Sequence, residues 1–183
     1  MYHAQATNFG VFRLALSIII LAAGQGTRMR SRLPKVLQPL AGRPLLWHVV
    51  ECSKALKADD ICVVYGHGAD AVKGAFADET LRWALQAEQL GTGHAMQQAM
   101  PGTPDENRVL VLFGDVPLLM PATLAVLLGE TPTDDVAVLT VDMDDPTGYG
   151  RIIRERGNVS CIVEEKDAGP DEKAVKEINT GVM

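Results

Sequence analysis

Short apolar runs recur along the chain, separated by stretches in which apolar residues follow helical spacing. Residues 15–21, 60–65, 81–85, 108–113 and 136–141 are such runs, and each predicts a β-strand. The first is apolar at almost every position and rich in β-branched residues, which is typical of a strand buried on both faces of a parallel sheet. The pattern therefore predicts five strands before residue 145.

Helical spacing appears between these runs. Residues 45–56 show it most clearly, because Leu46, Val49 and Val50 fall on one face. Further helices are predicted over residues 69–76, 91–100 and 121–128. Strands and helices that alternate in this way indicate an α/β fold with a Rossmann-like, doubly wound, mostly parallel sheet.

The pattern changes after Asp145. Residues 150–154 and 159–164 flank a Glu-Arg-Gly-Asn turn and predict a β-hairpin beside the main sheet. Residues 178–183 begin another strand-like run, and a domain rarely ends on an apolar half-strand because its backbone groups need partners. We therefore expect one domain over residues 15–183, incomplete at its C-terminal end. Residues 1–14 have no regular pattern and are expected to form a loose extension.

Composition and charge narrow the class of protein. The formal charge of −6 argues against a nucleic-acid-binding protein, which usually carries a basic face. The three cysteines show no CxxC pair, so we expect buried or half-buried reduced thiols in a cytoplasmic protein. The apolar run after Arg13 resembles a signal peptide, but cleavage there would separate the first strand from the loop that follows it. The run is also too short to span a membrane.

A glycine-rich loop follows the first strand. Residues 21–29 read Leu-Ala-Ala-Gly-Gln-Gly-Thr-Arg-Met, and Pro34-Lys35 comes shortly after. Glycines let backbone N–H groups approach phosphate oxygens, and Arg28 and Lys35 could neutralise their charge. Met29 stands where a dinucleotide-binding motif has its third glycine, and the loop lacks the Gly-Lys-Ser/Thr of a P-loop. The loop thus indicates nucleotide-phosphate binding outside both common motifs, with a ligand-free glycine turn as the alternative.

Two other polar positions lie where a ligand would bind. Asp115 follows the fourth strand, so it is a candidate Mg²⁺ ligand if substrate phosphates complete the coordination. The alternative is a turn aspartate that caps the next helix. Gln86 precedes a Gly-Thr-Gly helix entrance, where an amide could recognise a nucleobase. Taken alone, a glutamine at this position is more often an ordinary surface polar residue.

The loop at residues 21–29 with Lys35 resembles the opening motif of the sugar nucleotidyltransferases. Four further segments narrow the resemblance to the uridylyltransferase domains that make UDP-N-acetylglucosamine: residues 64–68, 86–95, 114–118 and 145–152. The resemblance runs from about residue 16 to residue 183 and implies the fold of the nucleotide-diphospho-sugar transferases.

The resemblance also implies roles for individual residues. Nucleotide contacts are implied for Leu21, Ala22, Ala23, Gly24, Lys35, Gln86, Gly91 and Thr92. Catalytic roles are implied for Arg28, Lys35 and Asp115, with Asp115 as a ligand of Mg²⁺. N-acetylglucosamine contacts are implied for Gly150, Glu164 and Asn179, while Phe113 and Gly114 adjoin the metal ligand and are expected near the sugar. Phe113 stands where the family often has tyrosine, and the family's second metal ligand would follow residue 183.

The implied reaction transfers UMP from UTP to N-acetylglucosamine 1-phosphate, giving UDP-N-acetylglucosamine for peptidoglycan and lipopolysaccharide synthesis. The expected partners are these small molecules, without nucleic acid or membrane, and the sequence does not determine the oligomeric state. Two alternatives stay open. One is a truncated, non-catalytic nucleotide-binding chain. The other is the same chemistry on different substrates, as in a glucose 1-phosphate thymidylyltransferase or a molybdenum-cofactor guanylyltransferase.

Overall fold

The computed structural model describes residues 15–24, 26, 29, 31, 33–66 and 68–183. The N-terminal extension predicted over residues 1–14 lies outside the described residues. The strands are β1 Leu16–Leu21, β2 Pro39–Leu40, β3 Arg43–Pro44, β4 Asp60–Tyr65, β5 Arg82–Leu85, β6 Arg108–Phe113, β7 Thr140–Asp142, β8 Arg151–Glu155, β9 Asn158–Val163 and β10 Glu177–Asn179. The α-helices are α1 Leu45–Ala55, α2 Ala69–Gly74, α3 Thr92–Ala99, α4 Pro121–Glu130 and α5 Pro170–Lys173, with 3-10 turns at Lys35–Leu37 and Met100–Gly102.

The main sheet is parallel and has the strand order β5-β4-β1-β6. Its central strand β1 is buried at every position, as its continuous apolar sequence predicts. Ile19 in β1 lies opposite Cys62 on one side and Val111 on the other. The first four predicted strands are therefore confirmed, and their carboxyl ends share one edge of the sheet.

Helices cover both faces of this sheet. On one face, Ile18 and Ile20 belong to a core with Leu46 of α1 and Leu124 of α4. On the other face, Ile19 packs in a second core with residues of α3. The apolar residues of β1 thus divide between two cores, because successive side chains of a strand point to opposite faces. This confirms the predicted doubly wound α/β layering.

The strand predicted over residues 136–141 is wrong in extent, and it lies in a second sheet instead of the parallel one. Only β7, Thr140–Asp142, is a strand, and it pairs antiparallel with β10. The edge of β6 is instead met by Met183, whose carbonyl accepts a hydrogen bond of 2.7 Å from the Val111 N–H. The residues before β7 pair with the same late segment, since the Leu139 N–H donates to Val182 O at 2.8 Å. An apolar run shows that a segment is buried or paired, but does not identify its partner.

A second, antiparallel sheet has the order β7-β10-β8-β9. The predicted hairpin is confirmed as β8 and β9, joined by Arg156 and Gly157, whose φ angles are 51° and 87°. Positive φ at both positions gives the turn type that matches the twist of a hairpin. The hairpin is half of this sheet rather than an isolated flank.

Cys52 and Cys62 are buried as expected, whereas Cys161 on β9 is exposed. Within the described ranges, no helix combines the length and apolar character needed to cross a bilayer.

Candidate functional site

A cavity of about 710 Å³ lies at the carboxyl ends of the parallel strands. It is bounded by the loop after β1, by the segment that joins β5 to α3, and by the end of β6. Its lining residues are Leu21, Ala22, Ala23, Gly24, Gly26, Met29, Lys35, Val36, Gln86, Gln89, Gly91, Thr92, Ala95, Phe113 and Asp115. The structure therefore brings together the residues implied to bind nucleotide and metal, except Arg28, which lies outside the described residues.

The loop after β1 is held by backbone hydrogen bonds to its neighbours. The Ala22 N–H donates to Val64 O at 2.8 Å, which continues the β1–β4 pairing by one residue. Gln89 Nε2 donates to Ala23 O at 2.6 Å from across the cavity. These contacts leave Gly24, which is exposed, free to turn away from the sheet.

Lys35 and Asp115 form an ion pair on the cavity wall. Lys35 Nζ lies 2.5 Å from Asp115 Oδ2, and the two side chains are 40% and 28% exposed. Lys35 opens a 3-10 turn whose next two residues, Val36 and Leu37, are buried and anchor it. Gly26 packs over the lysine, because a Cβ there would lie 2.7 Å from Lys35 Cβ and its φ is +58°. Glycine is thus required for the loop to fold back over Lys35.

The opposite wall is formed by Gln86, Gln89 and the start of α3. Gln86 is only 4% exposed, and its Nε2 donates to Gly91 O at 3.0 Å. Gly91 has a φ of 100°, which lets the chain turn into α3 at Thr92. Gln89 also lines the cavity, although the sequence alone predicts no role for it. It is one of several polar residues before Gly91, and the sequence pattern does not distinguish it from the others.

The residues implied to bind the sugar meet on the second sheet. The Asn179 N–H donates to Gly150 O at 2.8 Å, and a Cβ on Gly150 would lie 3.2 Å from Glu164 Oε1. Gly150, Glu164 and Asn179 thus come together without lining the cavity itself. Gly114 lies elsewhere: a Cβ on it would lie 3.1 Å from Ala22 Cβ, so it serves close packing beneath the loop.

Phe113 connects the cluster of Gly150, Glu164 and Asn179, here called the sugar-side cluster, with the cavity. Its ring lines the cavity and packs against Gly181, where an added Cβ would lie 2.9 Å from Phe113 Cζ and closer still to Cε2. Gly181 has a φ of +81°, and its N–H donates to Asn179 Oδ1 at 2.8 Å. The turn that carries Asn179 is therefore in contact with the cavity wall through a single ring.

A buried arginine holds the loop before Gly150. Arg151 is 1% exposed, its Nη1 donates to Tyr149 O, and its Nη2 lies 2.7 Å from Glu165 Oε2. The same carboxylate oxygen accepts a hydrogen bond from the Gly148 N–H at 3.2 Å. Hydrogen bonding to Arg151 holds the pKa of the Glu165 carboxyl below its ordinary value. The carboxylate thereby fixes the loop from both sides.

The described residues of this cavity offer a divalent cation one carboxylate. Asp115 is the sole acidic side chain among the described lining residues, and no three His, Cys, Asp or Glu side chains in the described part of the chain are grouped for metal binding. Mg²⁺ typically takes one or two carboxylates and completes its octahedron with water and substrate phosphates. Asp115 therefore suits a cation that arrives with a nucleotide.

Solved structures that share this fold include a putative thymidylyltransferase and a complex with GMP-PN. A putative glucose-1-phosphate thymidylyltransferase from Bacillus anthracis, in complex with a sucrose, matches with a TM-score of 0.70 and 23% identity over 92% of this chain and 70% of that one. HddC from Yersinia pseudotuberculosis, complexed with GMP-PN, matches with a TM-score of 0.69 and 24% identity over 91% of this chain and 74% of that one.

A third structure, Rv0371c from Mycobacterium tuberculosis, matches with a TM-score of 0.57 and 22% identity over 63% of this chain. The match spans 60% of that protein's length, and a manganese complex of the same protein also matches. At these identities the three structures establish the fold.

The family follows from the sequence itself. A family model described as the MobA-like NTP transferase domain matches residues 18–158. The match covers well over half of the chain and includes both Lys35 and Asp115. The chain therefore belongs to the family of MobA-like NTP transferase domains.

Proposed function

We propose that this nucleotidyltransferase-family domain transfers UMP from UTP to N-acetylglucosamine 1-phosphate, releasing pyrophosphate. The observation that carries the proposal is the ion pair of Lys35 and Asp115 on the wall of a nucleotide-sized cavity, opposite the buried amide of Gln86. Phosphate chemistry and base recognition would then occupy opposite walls of one cavity. The resemblance of the motifs to uridylyltransferases supplies the choice of substrates.

The triphosphate would lie between the loop after β1 and the start of α3. The exposed backbone at Gly24 and the N-terminus of α3 at Thr92 offer N–H groups to phosphate oxygens. Lys35 adds a full positive charge from the wall opposite α3. Arg28 is proposed, from the resemblance, to support the leaving pyrophosphate.

The reaction needs no general base, because the phosphate of the sugar substrate already carries an anionic oxygen. That oxygen attacks the α-phosphorus of UTP, a new P–O bond forms, and the bond to the β-phosphate oxygen breaks as pyrophosphate leaves. Catalysis is then positioning together with charge neutralisation. Lys35 would neutralise phosphate charge, and Asp115 would hold Mg²⁺, which supplies further positive charge when bound.

The sugar would bind beside Phe113, where the turn after β10 meets the cavity. Gly150 offers backbone groups, Glu164 a carboxylate and Asn179 an amide, which together suit the hydroxyl and N-acetyl groups of N-acetylglucosamine. The product would serve peptidoglycan and lipopolysaccharide synthesis. We further propose that residues 15–183 form one nucleotidyltransferase domain and that it acts in the cytoplasm, where UTP is available.

A pyrophosphate-release assay with purified protein and Mg²⁺ tests the reaction. N-acetylglucosamine 1-phosphate is offered with UTP, dTTP, CTP or GTP, and glucose 1-phosphate is offered in parallel. We expect release with UTP and N-acetylglucosamine 1-phosphate, and at least about a 100-fold loss in Asp115→Asn. Faster release with another nucleotide or sugar would replace the proposed substrates. UTP binding without turnover would indicate a non-catalytic, nucleotide-binding chain.

A second candidate keeps the chemistry and changes the nucleotide. It is motivated by the structures that share this fold, of which one is described as a putative thymidylyltransferase and another was solved with GMP-PN. The same assay separates this candidate from the first, because dTTP or GTP would then outperform UTP.

A further inference from the structure

Three side chains beside the cavity form a hydrogen-bonded chain: Gln86, His94 and Gln98. We propose that His94 fixes the orientation of the Gln86 amide and thereby makes the cavity select nucleobases that carry an imino N–H. Gln86 lines the cavity, whereas His94 does not, so His94 acts as a positioning residue. The inference rests on the proposed function, since it concerns the base accepted by the same site.

The orientation of the Gln86 amide follows from its partners. A backbone carbonyl only accepts hydrogen bonds, so the atom 3.0 Å from Gly91 O must be the amide nitrogen. The same nitrogen lies 3.2 Å from His94 Nδ1. Its two N–H groups are thus used, one on each partner. Turning the amide over would place its oxygen against two acceptors at once.

The protonation of His94 follows in turn. Nδ1 accepts from Gln86, so the ring proton is assigned to Nε2. Nε2 lies 3.1 Å from the Gln98 side-chain amide. Gln98 accepts this proton when its oxygen and nitrogen exchange places, which gives up the 3.3 Å contact of its nitrogen with His94 O. Hydrogen-bond donation then runs in one direction, from Gln86 through His94 to Gln98.

In this arrangement Gln86 Oε1 is the amide atom that is available to a ligand. Among the described residues it has no hydrogen-bond partner, and the side chain around it is 4% exposed. An acceptor in that position pairs with the N3–H of uracil or the N1–H of guanine. The N3 of cytosine and the N1 of adenine are themselves acceptors, so they would leave two buried acceptors facing each other. The cavity should therefore prefer UTP to CTP.

Two substitutions of His94 separate its role as acceptor from its bulk. His94→Leu removes the acceptor, whereas His94→Asn keeps an oxygen close to the position of Nδ1. Binding of UTP and CTP is measured at equilibrium with Mg²⁺ present, and KM is measured for both nucleotides and for N-acetylglucosamine 1-phosphate. We expect the UTP-to-CTP affinity ratio to fall about tenfold in His94→Leu and to stay within about twofold of wild type in His94→Asn. The KM for the sugar phosphate should be unchanged in both.

Gln86→Leu gives an independent test that does not alter α3. It removes Oε1 itself, so the ratio of the two affinities should approach one. An unchanged ratio in a folded His94→Leu protein, or the same fall in His94→Asn as in His94→Leu, would overturn the inference. A ratio that survives in Gln86→Leu would overturn it as well. In each of these cases wild type still binds UTP and the proposed function stands, whereas a wild-type protein that binds no nucleotide overturns both.

Discussion

Lys35 Nζ lies 2.5 Å from Asp115 Oδ2, so the cation proposed for phosphate binding neutralises the carboxylate proposed for metal binding. A divalent cation that approaches the free protein must compete with this ammonium group. A triphosphate gives Lys35 another anion to bind and releases the carboxylate. Metal and nucleotide are therefore expected to bind together, each favouring the other.

Lys35→Met should tighten the binding of Mn²⁺ to the protein without nucleotide, by up to about fivefold, because a partly exposed ion pair contributes ~0.2–1 kcal/mol. The same variant should weaken the binding of UTP. Free Mn²⁺, measured by electron paramagnetic resonance, reports the first effect. Lys54→Met is the matched control, since Lys54 pairs with Glu51 and Glu79 away from the cavity. Equal or weaker Mn²⁺ binding in Lys35→Met would contradict the competition.

Gly181→Ala should destabilise the protein and disturb the sugar side of the site. The position has a φ of +81°, and the new Cβ would overlap the Phe113 ring. The left-handed backbone alone costs about 1–2 kcal/mol in unfolding free energy. Chemical denaturation measures this loss, and the KM for the sugar phosphate should rise while that for UTP changes less.

Gly129→Ala is the control for this substitution. Gly129 lies within α4, and a Cβ there would meet no atom within 4 Å. We expect a gain of up to about 1 kcal/mol from helix propensity. A Gly181→Ala protein as stable as the Gly129→Ala protein would refute the packing argument.

Glu177 should make the second sheet sensitive to acid. Hydrogen bonds from Arg154 lower the pKa of its carboxyl from 4.5 to about 2. A lowered pKa means that the stabilisation is fully present above pH 4.5 and is lost as the pH falls toward 2. Glu177→Gln should therefore have a lower Tm than wild type at pH 7, and the difference should shrink between pH 4.5 and 2. A Tm difference independent of pH would rule out this ion pair as its source.

The thiols should differ in reactivity. Burial raises the pKa of Cys52, and it raises that of Cys62 to about 11, whereas Cys161 is exposed on β9. At pH 8 we expect one thiol to react rapidly with an aromatic disulfide reagent and all three to react after unfolding. Cys161→Ser should abolish the rapid phase. A rapid phase that persists in this variant would mean that a buried thiol becomes accessible.

The sequence predicts the main sheet well because each of its strands is marked locally. The bounds of β4 and β6 are those of the apolar runs, and the loop after β1 could be placed beside Asp115 because parallel strands end at one edge. The partner of β7 could not be predicted. Its pairing residues in β10 come more than thirty positions later, and register at that distance is set by packing.

The same distinction between local signals and long-range contacts applies to the candidate site. Lys35 and Asp115 were expected at one edge, but their ion pair depends on side-chain rotamers that no pattern encodes. The cluster of Gly150, Glu164 and Asn179 came from the resemblance alone, since the three residues lie on different strands of the second sheet or at their ends. The tight packing of Gly114 against Ala22 required coordinates, because a glycine after a strand is compatible with a ligand contact or with a close approach.

The hydrogen bonds between Val111 and Met183 have a mechanical consequence. They run in both directions, at 2.7 and 3.4 Å, and attach the segment that follows the sugar-side turn to the edge of β6. Asp115 lies two residues beyond the end of that strand. A displacement of the second sheet would therefore be transmitted along β6 to the Asp115 carboxylate. The spacing between the proposed sugar site and the proposed metal ligand would in this way be set by backbone hydrogen bonds.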